Sequence, residues 1–331
     1  MIADGRLSEG LRDPAVAAAT GEPPADLAVI MLAHNEERHL GRALDALAPV
    51  AREIFVVDSF STDRTVEIAL ARGATVLQNR FVNYARQFQW ALDTAPVTSA
   101  WVMRLDADEV IEPDLAAEIR ARLPVLPAGI QGVVLKRKHI FMGRWIRHGG
   151  RYPLLLLRIW RRGAARIEDR WMDEHMVLSH GRTVTFAGGF ADHNLNDLTF
   201  FTDKHNKYAT REAIDVLAAR HDLYRRDLGL TEHDRLAQAS WKRAIKEGVY
   251  NRLPFQLGPA AFFLYRYIVQ LGFLDGKPGL VYHFLQGFWY RFLVDAKVYE
   301  LEQAIAGIDG RDAMLAEISR RTGHRVGEVS G

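Results

Sequence analysis

Four apolar runs near the start of the chain constrain its fold more than any other feature. They span residues 27–33, 53–57, 74–77 and 100–105. Three segments with helical spacing of apolar residues separate these runs. They lie at 39–47, between the capping residues 61–63 and residue 71, and at 86–92. Strands and helices alternating at this spacing predict right-handed βαβ units, and therefore an α/β fold with a mostly parallel, Rossmann-like sheet.

Polar side chains follow three of these runs at the point where each run ends. Asn35 and Glu36 follow the first, Asp58 closes the second, and Asp106 and Asp108 follow the fourth. Ligands of parallel α/β sheets bind beyond the carboxyl ends of the strands. The coincidence indicates a ligand site at that edge of the sheet.

The pair Asp106 and Asp108 is the strongest chemical signal. Two carboxylates just beyond a strand end can face one crevice, and hard cations such as Mg²⁺ or Mn²⁺ prefer carboxylate and phosphate oxygens. Such a cation neutralises a diphosphate leaving group. The alternative is a solvated acidic turn, and the position of the pair after a buried strand favours a functional site.

The polar residues after the first two runs have both structural and functional interpretations. Asp58 is suited to accept from a base N–H or a ribose hydroxyl. Asp63 is better explained as a helix cap. Asn35 and Glu36 open the first helix, where capping and charge at the positive helix end explain them. A capped turn under a nucleotide still lines the site, so both interpretations stand together.

An acidic block lies between the polar strands predicted after residue 129. Asp173 and Glu174 precede His175, and a carboxylate here could take the proton from an acceptor hydroxyl. The alternative is an exposed acidic loop. His193, further along, is interpreted either as a late metal ligand or as a hydrogen-bonded histidine, with the second favoured.

Composition excludes several classes of protein. The chain of 331 residues has no cysteine, which excludes a disulfide scaffold, a thiolate zinc site and a cysteine nucleophile. The net charge of +2 gives no reason to expect a nucleic acid as partner. No G-x-G-x-x-G follows the first run, which disfavours a dinucleotide dehydrogenase. Residues 1–26 contain no signal-peptide core and are interpreted as a disordered tail, so export is not expected.

Two aromatic and apolar runs, 259–274 and 280–294, characterise the carboxy-terminal region. Both are short for a membrane span, and Arg266 and Arg291 interrupt them. We expect two helices lying in a membrane interface, joined by a polar turn at 275–279, with the arginines reaching lipid head groups. The alternative is a helical hairpin buried against the catalytic domain or a partner chain.

The motifs at 33–37, 56–65 and 105–109 together resemble the family-2 glycosyltransferases, which have a GT-A fold. The blocks at 84–87, 173–175, 204–209 and 272–276 are similar to the narrower branch that contains the lipopolysaccharide-core β-glucosyltransferases. The resemblance covers roughly residues 27–300.

The resemblance implies an inverting transferase that uses a nucleoside-diphosphate sugar, and it assigns roles to particular residues. The branch usually shows His-Glu where this chain has Asp173 and Glu174, so Glu174 aligns with the family's glutamate as general base. Asp58 would contact the base and Asp106 the ribose. The full nucleotide-sugar set is Ala33, Asn35, Glu36, Asp58, Arg86 and Asp106. The resemblance places Asp108 on a Mg²⁺ or Mn²⁺ ion, and His193 stays the further candidate ligand described above.

These inferences give one expected organisation and function. A tail at 1–26 precedes a GT-A catalytic domain at 27–199, an aromatic-rich helical acceptor and membrane-associated region at 200–310, and a C-terminal helix and tail at 311–331. The acceptor would be a glycan or a lipid-linked glycan of cell-envelope polysaccharide or lipopolysaccharide, at the cytoplasmic face of the membrane. Two alternatives stay open: an inactive protein of the same fold that binds nucleotide sugar or glycan, and a soluble transferase acting on a small glycoside.

Overall fold

The chain forms two compact units in this computed structural model, which describes residues 23–168, 175–223, 257–324 and 326. The sheet unit comprises Met1–Arg147 and Arg151–Leu195. The helical unit comprises His148–Gly150 and Asn196–Gly331. The three residues His148–Gly150 thus belong to the helical unit, although the chain on either side of them belongs to the sheet unit.

The first part of the sheet unit is parallel. Its strands are β1 (Ala25–Ala33), β2 (Ala51–Asp58), β3 (Thr75–Gln78) and β4 (Trp101–Arg104), in the order β3-β2-β1-β4. The helices α1 (Leu40–Leu47), α2 (Thr65–Ala71) and α3 (Tyr84–Thr94) connect them. The predicted βαβ alternation is confirmed. Two details of the prediction are wrong: β1 begins at Ala25, inside the segment predicted as a disordered tail, and α1 begins at Leu40, so that His39 and not Asn35 or Glu36 lies at its N-cap.

Burial on both faces explains why β1 is apolar without alternation. Val29 and Met31 belong to the core on one side of the sheet. Ala28 and Ile30 belong to the core on the other side. A strand covered on both faces cannot place a polar side chain on either without losing its hydration, so its sequence becomes one continuous apolar run.

Beyond β4 the sheet is mixed and longer than the sequence pattern suggests. The order continues β4-β8-β6-β11-β5, where β8 (Leu154–Arg161) is antiparallel to both of its neighbours. The other strands here are β5 (Glu109–Ile111), β6 (Ile130–Phe141), β7 (Arg144–Trp145) and β11 (Arg182–Asp192). A separate two-stranded sheet holds β9 (Ala165–Ile167) and β10 (Met176–Leu178). The helix α4 (Pro113–Arg122) continues into a 3₁₀ turn at Leu123–Val125.

The helical unit has its own core. Apolar residues of α5 (Leu198–Arg220) and α8 (Tyr290–Ile305) are buried in one cluster with α9 (Arg311–Thr322). Glu212 on α5 accepts hydrogen bonds from the Tyr290 hydroxyl at 2.6 Å and from Arg291 Nη1 at 3.2 Å. Between the two core helices the chain forms α6 (Leu257–Leu264), a π-helical turn at Tyr265–Val269, a 3₁₀ turn at Gly272–Asp275, α7 (Gly276–His283) and a second π-helical turn at Phe284–Trp289.

The bend in this unit lies earlier than the sequence predicts. Within the described residues no single helix has the length and apolar character to cross a membrane, but Leu257–Val269 and Gly272–Ile305 together do, with a 72° bend between them. Leu271 occupies the left-handed region at φ 60°. The predicted polar turn at 275–279 is wrong, because its glycines and Lys277 form the first turn of α7.

Each of the two arginines of this region has a partner inside the helical unit. Arg266 is buried and its Nε donates to the Gly149 carbonyl at 2.9 Å. Arg291 pairs with Glu212 on α5. The expectation that Arg266 reaches lipid head groups is therefore wrong, because its side chain is buried. For Arg291, whose side chain is partly exposed, it stays a prediction.

Candidate functional site

The loops after β1 and β2 are joined to each other by hydrogen bonds. Ala33 and Asp58 are paired in register at the ends of the two strands, and the Ser59 amide donates to the Ala33 carbonyl at 2.9 Å. Asn35 then takes a left-handed conformation at φ 57°. Its amide donates to Ser61 Oγ at 2.9 Å and its Oδ1 accepts from the Thr62 amide at 2.9 Å. Asn35 therefore fixes one loop against the other.

Glu36 has a similar double role. Its amide donates to Thr65 Oγ1 at 2.7 Å, and its carboxylate contacts His39 Nδ1 at 2.6 Å. His39 is buried, and its Nε2 accepts from the Leu195 amide at 2.9 Å. This chain of contacts ties the loop after β1 to the segment that follows β11. The capping role predicted for Asp63 takes a shifted form: Arg64 occupies the cap position, and Asp63 accepts from the Thr65 amide at 3.0 Å.

Asp58 is fully buried at the end of β2. Its carboxylate accepts from the Ser61 amide at 3.1 Å, from the Ser61 hydroxyl, and from Gln78 Nε2 at 3.0 Å. These are neutral donors from the next loop and from β3. A carboxylate offers about four acceptor positions, so the contact predicted between Asp58 and a nucleotide base would add to these bonds, and it stays a prediction.

Asp106 lies at the end of β4 within reach of three other side chains. The Tyr84 hydroxyl donates to its Oδ1, Arg104 Nε lies 3.8 Å from Oδ1, and Arg158 Nη2 lies 3.8 Å from Oδ2. Burial opposes ionisation, but Arg104, Arg158 and the Tyr84 hydroxyl outweigh it and hold the pKa of Asp106 below its ordinary value. The carboxylate is therefore charged at neutral pH.

Glu109 supports the turn that carries Asp106 and Asp108. It is buried, its Oε2 accepts from the Asp106 amide at 3.0 Å, and its Oε1 accepts from Arg158 Nη2 at 2.7 Å. Burial raises the pKa of Glu109, the nearby Asp106 charge raises it further, and Arg158 and Arg137 only partly offset this. The sequence interpretation gave this glutamate no role.

A β-bulge in β8 places Arg158 beside Asp106 and Glu109. In the pairing of β8 with β6, Val133 lies opposite Ile159 and Val134 opposite Leu157, so Arg158 is the extra residue. Bulges re-aim a side chain and are frequent beside active sites. Arg158 is only 4% exposed, and within the described part of the chain its Nη1 has no hydrogen-bond partner. The sequence signal that could have found it is one arginine inside the apolar run at 154–160.

The structure brings Asp108 and His193 together. The His193 amide donates to the Asp108 carbonyl at 3.1 Å, and Asn194 Nδ2 donates to Asp108 Oδ2 at 3.0 Å. Arg42 donates to the His193 carbonyl. Burial lowers the pKa of His193, and the Arg42 charge lowers it further. The imidazole is thus neutral at physiological pH, which is the state that can bind a metal.

This donor set fits a divalent cation only if the substrate completes the site. Residues 23–168, 175–223, 257–324 and 326 contain no cluster of three or more His, Cys, Asp or Glu side chains that could hold a metal ion. Mg²⁺ in phosphate-transferring sites is typically held by one or two carboxylates together with substrate phosphates and water. Asp108, partly exposed at the strand end, suits that arrangement.

The remaining predicted residues are less informative. Arg86 is exposed on the first turn of α3, and its amide donates to the capping residue Asn83 at 2.8 Å. The adjacent Gln87 is buried and donates to Ser59 Oγ at 3.2 Å, a contact that the sequence interpretation missed. The predicted general base Glu174 and its neighbour Asp173 lie outside the described residues.

Comparison with known families identifies the region that carries this edge. Residues 28–189 match the description "Glycosyl transferase family 2". The match covers just under half of the chain. The matched region covers most of β1, all of β2, β3 and β4, the Asp106 and Asp108 pair, and most of β11. Its mixed, curled α/β sheet is that of the GT-A fold, accompanied in this chain by a C-terminal helical region with aromatic clusters.

Curated relatives match part of the chain. An uncharacterized glycosyltransferase of Rickettsia typhi is 33% identical over 93 residues, which is 28% of this chain and 31% of that protein. One from Rickettsia prowazekii is 32% identical over the same shares. A TPR repeat-containing protein of Synechococcus elongatus is 31% identical over 105 residues, or 31% and 25% of the two chains. The chain thus spans less than a third of the length of the curated relatives it matches.

Among solved structures, the chain is similar to glucosyl-3-phosphoglycerate synthase from Mycobacterium tuberculosis in complex with Mn²⁺, uridine diphosphate and glucosyl-3-phosphoglycerate. The identity is 23%, the match covers 38% of this chain and 47% of that one, and the TM-score is 0.27. A second mycobacterial protein matches at 22% identity over 38% and 43%, with a TM-score of 0.30.

Proposed function

We propose that this chain is an inverting glycosyltransferase that moves a sugar from a nucleoside-diphosphate donor to a glycan or lipid-linked acceptor. The observation that carries the proposal is the pair Asp106 and Asp108 at the carboxyl end of β4, inside the region that matches glycosyltransferase family 2. Asp106 is kept ionised by two arginines and a tyrosine. A charged, oriented carboxylate at a strand end is suited to accept from the hydroxyls of a bound nucleotide sugar.

Each end of the donor has suitable groups at this edge. Asp58 would accept from the base, while Ala33, Asn35 and Glu36 form the loop beneath it, fixed by the hydrogen bonds described above. Asp108 and His193 would hold Mg²⁺ or Mn²⁺, which supplies positive charge to the leaving diphosphate when bound. Arg86, exposed at the start of α3, is a further candidate contact for the donor.

The chemical step proposed here follows from the family resemblance. The acceptor oxygen attacks the anomeric carbon, a new carbon–oxygen bond forms, and the bond between that carbon and the diphosphate oxygen breaks. Glu174 takes the acceptor proton, and Asp173 assists or orients it. One displacement on the face opposite the leaving group inverts the anomeric centre.

The narrower biological proposal is cell-envelope synthesis. The blocks at 84–87, 204–209 and 272–276 resemble the lipopolysaccharide-core β-glucosyltransferase branch, which supports a lipopolysaccharide or related lipid-linked acceptor. Such an acceptor places the enzyme at the cytoplasmic face of a membrane as a peripheral protein. This location is part of the proposal.

A donor screen tests the proposed function. Purified full-length protein is incubated with UDP-glucose, UDP-galactose, UDP-N-acetylglucosamine, GDP-mannose or dTDP-rhamnose, with Mg²⁺ or Mn²⁺, and released nucleoside diphosphate is measured alongside the unfolding temperature. We expect one donor to raise the unfolding temperature and to be hydrolysed slowly, because a ligand that binds the folded state stabilises it. A protein that binds a donor but never turns it over, with any glycan or lipid extract as acceptor, would instead be a binding protein.

The general base has its own test. Glu174→Gln should keep donor binding and lose transfer by about two to four orders of magnitude, the usual scale for removal of a general base. Asp173→Asn is the matched control and should be milder. The reverse ranking would identify Asp173 as the base.

A further inference from the structure

The bend in the helical unit exposes an unusual concentration of large apolar side chains. We call this surface the apolar elbow: Leu264, Tyr265, Ile268, Val269, Leu271, Phe273 and Leu274, all exposed. Val269 is the most open of them, at 68%. These residues occupy the last turn before the break and the 3₁₀ turn after it. Exposed apolar side chains grouped this closely mark an interaction surface.

The charged groups near the elbow are turned inward. Arg266 donates to the Gly149 carbonyl at 2.9 Å. Asp275 is buried and accepts from the His148 amide at 2.9 Å and from His148 Nδ1 at 2.7 Å. Between residues 257 and 284 the only Lys, Arg, Asp or Glu side chain that is exposed is that of Lys277. The exposed surface therefore presents apolar groups and a single positive charge.

The broken backbone at the elbow is also satisfied from within. The Gln270 amide donates to the Tyr265 carbonyl at 2.9 Å, and the Leu271 amide donates to the Ile268 carbonyl at 3.1 Å. The Gln270 carbonyl, which has lost its helical partner, accepts from the Gly149 amide at 2.9 Å. Gly149 has φ +67°, and a Cβ there would lie 2.1 Å from the His283 ring. Only glycine fits this position.

These three observations favour lipid as the occupant. Hydrocarbon cannot hydrogen-bond to backbone groups, so a break in a helix is tolerated at that depth only where protein groups satisfy it. Charged side chains are costly there. A protein partner requires neither condition, because a typical protein interface carries many direct and water-mediated hydrogen bonds. The elbow meets both conditions that a bilayer imposes.

We propose that the apolar elbow inserts into one leaflet of a bilayer while Lys277 contacts anionic head groups. The segment neither crosses the membrane nor lies flat with its arginines at the head groups. Aromatic and aliphatic side chains enter the acyl boundary, and the Gly149, Arg266 and Asp275 contacts hold the bend behind them. The inference deepens the proposed membrane contact and names its surface. It depends on the proposed function only for the reason why a membrane is needed.

Vesicle binding by the full-length chain tests this inference. Wild type, Val269→Glu/Leu274→Glu and Val125→Glu are sedimented with vesicles of phosphatidylcholine alone or mixed with phosphatidylglycerol. Val125 is the matched control, an equally apolar side chain that is 76% exposed in the sheet unit. We expect the double variant to lose about tenfold or more in vesicle affinity, while the control binds like wild type. Anionic lipid should strengthen wild-type binding, and salt should weaken that part.

A second measurement tests the proposal independently of whether the double variant folds. Phe273→Trp places a fluorophore in the elbow, and lipids brominated along the acyl chain should quench its emission more than that of wild type. Absence of wild-type vesicle binding, equal binding by the double variant, or no added quenching would each overturn the proposal.

Sedimentation velocity without lipid tests whether a second copy of this chain, and not lipid, covers the elbow. A concentration-dependent dimer that Val269→Glu/Leu274→Glu dissolves would assign the elbow to a second copy of this chain and overturn the lipid proposal. Donor hydrolysis in solution is measured on the same samples. If the elbow binds vesicles and no donor is turned over, the proposed function fails while the membrane surface stands.

Discussion

Asp58 and Asp106 lie at the same edge of the sheet, and different kinds of contact hold their two carboxylates in place. Asp58, at the end of β2, is fully buried and accepts from neutral donors on Ser61 and Gln78. Asp106, at the end of β4, faces the cations Arg104 and Arg158. The contacts of Asp58 fix the loop after β2, and the contacts of Asp106 keep its carboxylate ionised. Two aspartates at equivalent strand ends are therefore suited to different parts of one ligand.

The largest effect on stability is expected from removal of the bulge arginine. Arg158→Met removes one of the two cations that face the ionised Asp106, and Glu109 loses the donor to its Oε1. Breaking a buried ion pair from one side costs about 3–5 kcal/mol. Urea unfolding at neutral pH should show this loss, and Arg158→Lys should restore only part of it, because one ammonium cannot reproduce the guanidinium geometry. A loss below about 1 kcal/mol, the scale of an exposed pair, would show that the cluster is not held by Arg158.

A smaller effect is expected at Asp58. Gln78→Leu removes one neutral donor from a buried carboxylate and should lower the free energy of unfolding by about 1–3 kcal/mol. Gln89→Leu, on the solvent side of α3, is the control, since its partner Asp93 is exposed and stays hydrated. If Gln78→Leu costs as much as Arg158→Met, the contrast between the two aspartates disappears.

The pH dependence of stability should separate Asp106 from Glu109. The folded pKa of Asp106 lies below its ordinary 3.8, so its contribution is present above that pH and is lost as pH falls through the folded pKa. The folded pKa of Glu109 lies above its ordinary 4.5, so the folded state keeps that proton and stability declines as pH rises from 4.5 through the folded pKa. Unfolding of Glu109→Gln should lack this decline, and an unchanged profile would contradict the assignment.

The parallel half of the sheet was predictable because its determinants are local. Strands buried on both faces give continuous apolar runs, and the buried residues of α1 recur at helical spacing. The site edge followed, because Asn35, Asp58, Asp106 and Asp108 lie directly at the strand ends. The mixed half was less accessible, since its strands pair with residues far away in sequence, and a bulge at Arg158 depends on that pairing.

The helical unit shows the same limit. Residues 275–279 have the composition of a turn, yet Asp275 is used to hold His148, a partner 127 positions earlier. The helix instead breaks at Gln270 and Leu271, where the Gly149 amide donates to the Gln270 carbonyl in place of a helical hydrogen bond. Similarly, the contact of Glu109 with Arg158 and that of Gln87 with Ser59 join residues far apart in sequence, and no local pattern predicts them.

The most direct test of the account is donor turnover by Asp108→Ala. Asp108 is partly exposed and contacts Asn194, so its removal should leave the unfolding temperature nearly unchanged. With the donor identified by the screen and Mn²⁺ or Mg²⁺ present, the account predicts that nucleoside-diphosphate release is abolished in this variant. Excess chelator should abolish it in wild type. Full activity of Asp108→Ala, or of wild type in chelator, would contradict the metal-assisted use of this strand end.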